Sequence, residues 1–115
     1  MKKHEIFKGL ADPTRLRIIS LLLKQELCVC DLMAVLHLPQ STVSRHMIRL
    51  KTASLVLDRR SGKWVHYRLL SNPLVDDLRR LLQLHFADGE PFKKDATALR
   101  RYVRNGQCAE NSQVL

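Results

Sequence analysis

Two cysteines stand one residue apart in the segment ELCVCDL, residues 26–32. Inside a regular helix, side chains at positions i and i+2 point to nearly opposite sides and cannot share a ligand. The apolar pattern that follows puts Cys28 at the N-cap of a helix and Asp31 at its third position, where a capping box often has an acid. Because an N-cap residue has non-helical backbone angles, Cys28 is able to turn toward Cys30. Both sulfurs then face the positive end of the helix dipole, which favours thiolate.

Such a thiolate pair is suited to soft, thiophilic ions. Trivalent arsenic and antimony accept two or three sulfurs at one pyramidal apex, whereas zinc normally requires four ligands from cysteine, histidine and carboxylate. The neighbouring side chains of Val29, Leu32 and Met33 are poor ligands for zinc. We therefore predict that Cys28 and Cys30 bind arsenic(III) or antimony(III), and we predict no zinc. In the alternative interpretation, both cysteines are only small, half-buried apolar residues at the start of a helix.

A third cysteine, Cys108, follows Gly106 in a segment whose composition is typical of a mobile tail. Two thiolates leave one position on arsenic(III), which Cys108, hydroxide or an external thiol would fill. Ordering a tail costs about 1–2 kcal/mol per residue. Cys108 is therefore a possible auxiliary ligand, and a surface thiol without a role is the competing interpretation.

The chain around the cysteines predicts two helices joined by a tight turn. The apolar stretch after Cys28 is interrupted at Leu38-Pro39, and an amphipathic helix follows from about Gln40 to Thr52. Two short helices joined in this way form a helix-turn-helix. Residues 55–70 are rich in β-forming types and are broken at Ser61-Gly62, which predicts a hairpin.

Further helices are predicted on both sides of this unit. A short helix carries Ile6 and Leu10, and a strong helix start follows, with Asp12 as N-cap and Pro13 at the first helical position. A long apolar helix begins at Pro73 and is expected to end at Gly89 and Pro91. Residues 92–104 predict one more, basic helix.

The helix from Gln40 to Thr52 has an apolar face of Val43, Met47 and Leu50, and an opposite face of small polar groups followed by arginines. A recognition helix presents such groups to base edges and phosphates in the major groove. From this helix to the end of the hairpin there are seven Lys or Arg residues and a single acid. The predicted DNA contacts are Gln40, Ser41, Thr42, Ser44, Arg45, His46, Arg49, Arg59, Arg60 and Lys63.

The composition agrees with a DNA-binding protein of one domain. Among 115 residues, 20 Lys or Arg oppose 11 acidic residues, and the formal net charge of +9 favours a polyanionic partner. One recognition helix and one wing cover a half-site, so a homodimer on double-stranded operator DNA is expected. We expect residues 1–88 to form the DNA-binding and dimerisation domain, and residues 89–115 to form an extension that is partly helical and then flexible.

Two classes of protein are disfavoured. No apolar run approaches the roughly 20 residues of a membrane-spanning helix, and three cysteines in a chain without a signal peptide favour reduced thiols in the cytoplasm. No nucleophile–base constellation predicts an enzyme, since His37 is the histidine nearest to the thiols in sequence and is not placed to serve them.

Four segments, LADPTRLRIISLL, ELCVCDL, STVSRHMIRL and DRRSGKWVHYRL, together resemble the ArsR/SmtB family of winged-helix repressors. The resemblance covers about residues 6–70 and is strongest to the arsenical-sensing branch. It implies a mainly α fold with a β-hairpin wing, dimerised through its terminal helices, and a helix-turn-helix over about residues 28–54. It also implies a homodimer that leaves its operator when trivalent arsenic or antimony binds.

The chain departs from the pattern of that family at specific positions. Met33 stands where the family often has a third cysteine, and Pro39 stands where it often has a serine that caps the recognition helix. A second family site, for zinc on the C-terminal helices, lacks its spacing here, because Asp77 and His85 alone do not make it. The alternative function on the same scaffold is a repressor that senses oxidation of its thiols.

Overall fold

The computed structural model describes residues 3–106, which form six helices and a small antiparallel sheet. The elements in chain order are α1 His4–Leu10, α2 Pro13–Leu22, β1 Leu27–Cys28, α3 Val29–Leu36, α4 Gln40–Thr52, β2 Val56–Ser61, β3 Trp64–Leu69, α5 Pro73–His85 and α6 Phe92–Arg104. Within residues 3–106, no helix is both long enough and apolar enough to cross a membrane. Cys108 lies outside the described residues, so its predicted role as an auxiliary ligand is not tested.

The helix starts follow the sequence closely. Asp12 is the N-cap of α2, where its carboxylate accepts a hydrogen bond of 3.0 Å from the backbone N–H of Arg15, and Pro13 is the first helical residue. Burial opposes ionisation of Asp12, but the Arg15 N–H and the Arg15 charge favour the carboxylate, and the pKa of Asp12 is lowered overall. Pro39 precedes α4 and provides no side-chain cap, as the sequence predicted.

The core lies between the helix-turn-helix and the helix before it. The predicted apolar face of α4 is confirmed, since Val43, Met47 and Leu50 are fully buried. They join Ile18 and Ile19 of α2 in one apolar cluster. This packing fixes the angle of α4 to α2 and turns the polar face of α4 outward.

The predicted hairpin is confirmed as β2 and β3, joined at Gly62, whose φ of 61° suits glycine. The sheet also contains β1, which pairs with β3 and makes the strand order β1-β3-β2. The sequence did not predict β1 because a strand of two residues has no periodic pattern of its own. Its pairing with β3 attaches the start of α3 to the base of the wing.

The long C-terminal helix α5 ends at His85, earlier than Gly89, where the sequence predicted its end. The chain turns there, with the rings of Phe86 and Phe92 in an edge-to-face contact at 5.6 Å between centroids. The predicted helix over residues 92–104 is present as α6, and it packs against α2 and α3.

An ion pair between Arg17 of α2 and the buried Asp95 of α6 links these two helices. Two nitrogens of the guanidinium donate to the two carboxylate oxygens at 2.7 and 2.8 Å. This side-chain hydrogen bonding raises the pKa of Arg17. A bidentate pair of this kind holds α6 in one orientation on the core.

Candidate functional site

The two sulfurs of the ELCVCDL segment lie side by side. Cys28 is the N-cap of α3, as predicted, with an extended backbone (φ −89°, ψ 169°), and its Sγ is 2.9 Å from the Sγ of Cys30. This separation exceeds the roughly 2.05 Å of a disulfide bond, so the two sulfurs are in contact without being bonded to each other. Cys28 is buried, whereas Cys30 is partly exposed. One thiophilic ion can therefore reach both sulfurs from the side of Cys30.

The carboxylate of Asp31 fixes the backbone of Cys28 in this position. One of its carboxylate oxygens, Oδ2, accepts the backbone N–H of Cys28 at 2.9 Å, and the other, Oδ1, accepts the hydroxyl of Tyr102 at 2.8 Å. Asp31 is fully buried, and one donor atom from each of Cys28, Cys30 and Asp31 lies within 4.8 Å of the others. Val29, Leu32 and Met33 are thus not the only side chains near the two thiols, because the Asp31 carboxylate lies beside them. A carboxylate three residues after the N-cap was predicted only as a helix cap.

A histidine also lies closer to the thiols than the sequence indicated. His66 of β3 is the cross-strand partner of Cys28 and is buried. Its Nδ1 is 4.0 Å from Oε1 of Glu26, which also accepts a 2.6 Å hydrogen bond from Arg59. The expectation that His37 is the nearest histidine holds only along the chain, because pairing of β1 with β3 brings in a residue 38 positions away from Cys28.

The outward face of α4 carries the residues predicted to read DNA. Gln40, Ser41, Arg45 and Arg49 are exposed, and Thr42 and Ser44 are partly buried. The exposed Ile48 lies on the same face. Small polar groups precede the arginines along this face, so the N-terminal turns of α4 offer hydrogen bonds and its later turns offer charge.

His46 differs from the other predicted DNA contacts. Its Nδ1 lies 3.3 Å from a guanidinium nitrogen of Arg15, and Arg15 also donates to the carbonyl of Gly9 at 2.6 Å. Burial lowers the pKa of His46, and the charges of Arg15 and Arg45 act in the same direction. The charge of Asp12 opposes this shift without reversing it. His46 is thus a contact between α4 and the helices behind it.

The wing carries exposed cations. Arg59, Arg60 and Lys63 are exposed, and Lys63 Nζ lies 5.4 Å from the ring centroid of Trp64. The single acid of this region, Asp58, binds Lys51 at 3.0 Å, and this hydrogen bond lowers the pKa of Asp58. The cations at the turn and on α4 lie on the two elements that a winged helix lays on DNA.

A second surface is apolar. Phe7 of α1 is 68% exposed, and Leu84, Leu81 and Leu74 of α5 are 69%, 47% and 36% exposed. A cavity of about 150 Å³ separates α1 from α5 on this face. Large apolar side chains clustered in this way are typical of an interface with another protein.

The fold and these surfaces define a winged helix-turn-helix transcriptional regulator. The sequence profile of "Bacterial regulatory protein, arsR family" matches residues 12–57. The chain is 47% identical over 110 residues, covering 94% of this chain and 93% of the relative, to "Arsenic resistance transcriptional regulator ArsR2" of Pseudomonas putida. The chain therefore belongs to the arsR family of bacterial regulatory proteins, a family of transcriptional repressors.

Two further comparisons agree with this assignment. The chain is 54% identical over 66 residues to the "Arsenical resistance operon repressor" of Escherichia coli, and this match spans 56% of each chain. The chain thus spans little more than half the length of that relative. The solution structure of Mb0332 from Mycobacterium bovis, described as a homodimeric winged helix-turn-helix DNA-binding domain, superposes with a TM-score of 0.63 at 31% identity, covering 76% of this chain and 79% of that chain. These proteins are regulators, which confirms the prediction that the chain is not an enzyme.

Proposed function

We propose that this protein is a homodimeric repressor that binds operator DNA and is released when trivalent arsenic or antimony binds Cys28 and Cys30. The relatives associated with arsenic resistance support a metalloid inducer in general. The observation that carries the proposal for this chain is the 2.9 Å separation of the two sulfurs at the start of α3. A pair of soft donors at a helix N-terminus suits a thiophilic ion and stabilises thiolate.

Operator binding uses α4 and the wing in this proposal. Ser41, Thr42 and Arg45 contact base edges, with Gln40 and Ser44 beside them. Arg49, Arg60 and Lys63 contact phosphates, and Arg59 does so while it also contacts Glu26. His46 keeps α4 in position against Arg15 instead of reading bases. All of the side chains proposed to contact DNA, except the partly buried Thr42 and Ser44, are exposed, on two neighbouring elements, which supports this assignment.

Dimerisation uses the apolar face of α1 and α5. Phe7 and Leu84 are more exposed than any other large apolar side chain among residues 3–106. A second copy of the same face covers them by two-fold symmetry, which is the usual arrangement in homodimers. Two recognition helices then address two half-sites of an inverted repeat.

Release depends on the packing of α3 against α4. An ion bonded to both sulfurs resets their separation of 2.9 Å and so alters the N-cap geometry of α3, and α3 transmits this change to the recognition helix. A coupling free energy of about 1–3 kcal/mol between the two sites lowers operator affinity by roughly 5- to 150-fold.

The test is a gel-shift titration with an inverted-repeat duplex selected by the protein from a random library. We expect one retarded dimer complex, and we expect arsenite to dissociate it. No complex with any duplex would contradict DNA binding, and a complex unaffected by arsenite and antimonite would contradict metalloid release.

A repressor that senses thiol oxidation is the second candidate, because contact between two sulfurs also favours their oxidation. Cysteines one residue apart form a strained disulfide, which disfavours this candidate. Peroxide in place of arsenite in the same titration separates the two. Release by peroxide alone would favour the oxidation sensor.

A further inference from the structure

A pocket lies beside the cysteine pair, between α3, α4 and the wing. Its volume is about 340 Å³, and a cavity of roughly 150 Å³ is enough to bind benzene. Cys30 lines this pocket, whereas Cys28 is buried. The accessible sulfur of the pair therefore opens onto a space large enough for an organic group.

Part of the pocket lining is apolar. Val29 and Met33 line it from α3, and Trp64 and Val65 line it from β3. Aliphatic, thioether and indole groups attract an apolar group by burial and dispersion. They offer no thiolate, so they suit the organic part of a ligand and not its metalloid atom.

We propose that this pocket selects the aryl substituent of a trivalent organoarsenical, R–As(OH)₂, and this inference rests on the proposed metalloid response. The thiols of Cys28 and Cys30 form two As–S bonds while two As–O bonds break. The two hydroxides leave as water with the two thiol protons, and arsenic stays trivalent with its As–C bond intact. The substituent occupies the third position on arsenic, so two thiolates complete the site.

The rest of the pocket lining connects the substituent to DNA binding. Gln40 and Ser44 line the pocket from α4, and Lys63 lines it from the wing. A ring in the pocket contacts the recognition helix and the wing together. It therefore alters both DNA-binding elements directly, in addition to any change that passes through α3.

The test compares phenylarsonous acid with methylarsonous acid by calorimetric titration of the full chain without DNA. Both acids use the same two-thiol chemistry and differ only in the substituent. The ratio of the phenyl to the methyl compound's affinity for dithiothreitol measures the preference that belongs to thiols alone. We expect the protein to exceed this ratio at least tenfold, which equals about 1.4 kcal/mol. Trp64 is the single tryptophan of the chain, and we expect its fluorescence to change more with the phenyl compound.

Two variants assign the preference to the pocket. Trp64→Ala should bring the phenyl-to-methyl affinity ratio of the protein close to that of dithiothreitol. Leu57→Ala is the control, because it removes a 38% exposed apolar side chain from the neighbouring strand and should leave the ratio unchanged. Met33→Ala tests the α3 wall independently of the wing and should lower the ratio. Cys108→Ser should leave phenylarsonous acid binding unchanged, because this ligand has only two exchangeable positions.

The outcomes separate this inference from the proposed function. A wild-type ratio equal to that of dithiothreitol, or a ratio that survives both Trp64→Ala and Met33→Ala, overturns the pocket assignment while metalloid release stands. Failure of arsenite and both organoarsenicals to bind through Cys28 and Cys30 overturns the proposed function as well.

Discussion

The hydroxyl of Tyr102 donates a 2.8 Å hydrogen bond to one carboxylate oxygen of Asp31, and the other oxygen of Asp31 accepts the backbone N–H of Cys28. Tyr102 belongs to α6, which lies after the helix-turn-helix, the wing and α5 in the chain. The bidentate pair of Arg17 and Asp95 anchors the same helix at its first turn. Helix α6 is therefore part of the support of the cysteine pair.

Removal of the Tyr102 hydroxyl should loosen this support. We expect Tyr102→Phe to lower the free energy of unfolding by about 1–3 kcal/mol, because a buried carboxylate loses a donor. We also expect weaker arsenite binding, because Asp31 then fixes the Cys28 backbone less firmly. Urea denaturation and calorimetry measure the two effects. Thr97→Val, which removes an exposed hydroxyl from the same helix, is the control, and equal effects in both variants would argue against the link.

Substitutions on α4 and on the wing should change DNA binding in different ways. Arg45→Ala should relax the sequence preference, because it removes a base contact. Lys63→Ala should weaken all sequences alike and reduce the slope of log affinity against log salt by about 0.9, the value for one phosphate contact. Lys93→Ala, at an exposed lysine of α6, should do neither. Affinities for selected and scrambled duplexes over a salt series check this, and binding independent of salt would contradict the DNA interface.

Replacement of either thiol at the N-cap should uncouple the inducer from DNA. Serine still caps α3, so Cys28→Ser and Cys30→Ser should fold and bind the operator but resist release by arsenite. Cys108→Ser should retain release, with the half-effective arsenite concentration raised by at most about tenfold, or 1.4 kcal/mol. Gel-shift titrations measure all three variants. Complete loss of release in Cys108→Ser would identify a three-cysteine site and refute the two-thiolate sensor.

A charge on the apolar face should separate the subunits. Leu81 is 47% exposed and lines the cavity between α1 and α5. We expect Leu81→Glu to be monomeric in sedimentation velocity and to lose most of its affinity for an inverted repeat, because each monomer then binds one half-site. Leu57→Glu introduces the same charge on the wing, away from this face, and should remain dimeric. A dimeric Leu81→Glu protein would place the interface elsewhere.

The stability of the fold should depend on the protonation of His46. Burial lowers the pKa of His46 from the ordinary histidine value, so the unfolded chain binds this proton more tightly than the folded chain does. The free energy of unfolding therefore falls as the pH falls below about 6.5, the pKa of histidine in the unfolded chain. Once the pH is below the pKa of His46 in the folded protein, this residue causes no further loss. His46→Gln should show a smaller loss between about pH 7.5 and about pH 5.5 in urea denaturation. Gln83→Ala, at an exposed and non-titrating position of α5, should behave as the wild type, and an unchanged profile in His46→Gln would exclude this role.

Local patterns in the sequence determined the helices, the hairpin and the approach of the two sulfurs. Asp12 and Pro13 define the start of α2, and the span from Gln40 to Thr52 is read from apolar spacing alone. Cys28 and Asp31 lie three residues apart, so the geometry of a helix cap already brings the first thiol beside the second. Such features depend on residues within one or two turns, whose interactions the chain order specifies.

Only the tertiary structure decided what surrounds that pair. Strand β1 exists because β3 pairs with it, and this pairing brings His66 opposite Cys28. Tyr102 reaches Asp31 from 71 positions away, and Trp64 of the wing lines the same pocket as Cys30. No periodicity or spacing encodes such contacts, because they depend on how separate elements bury their apolar faces against one another. The sequence thus determined the donor atoms of the site, and packing determined their support and the pocket beside them.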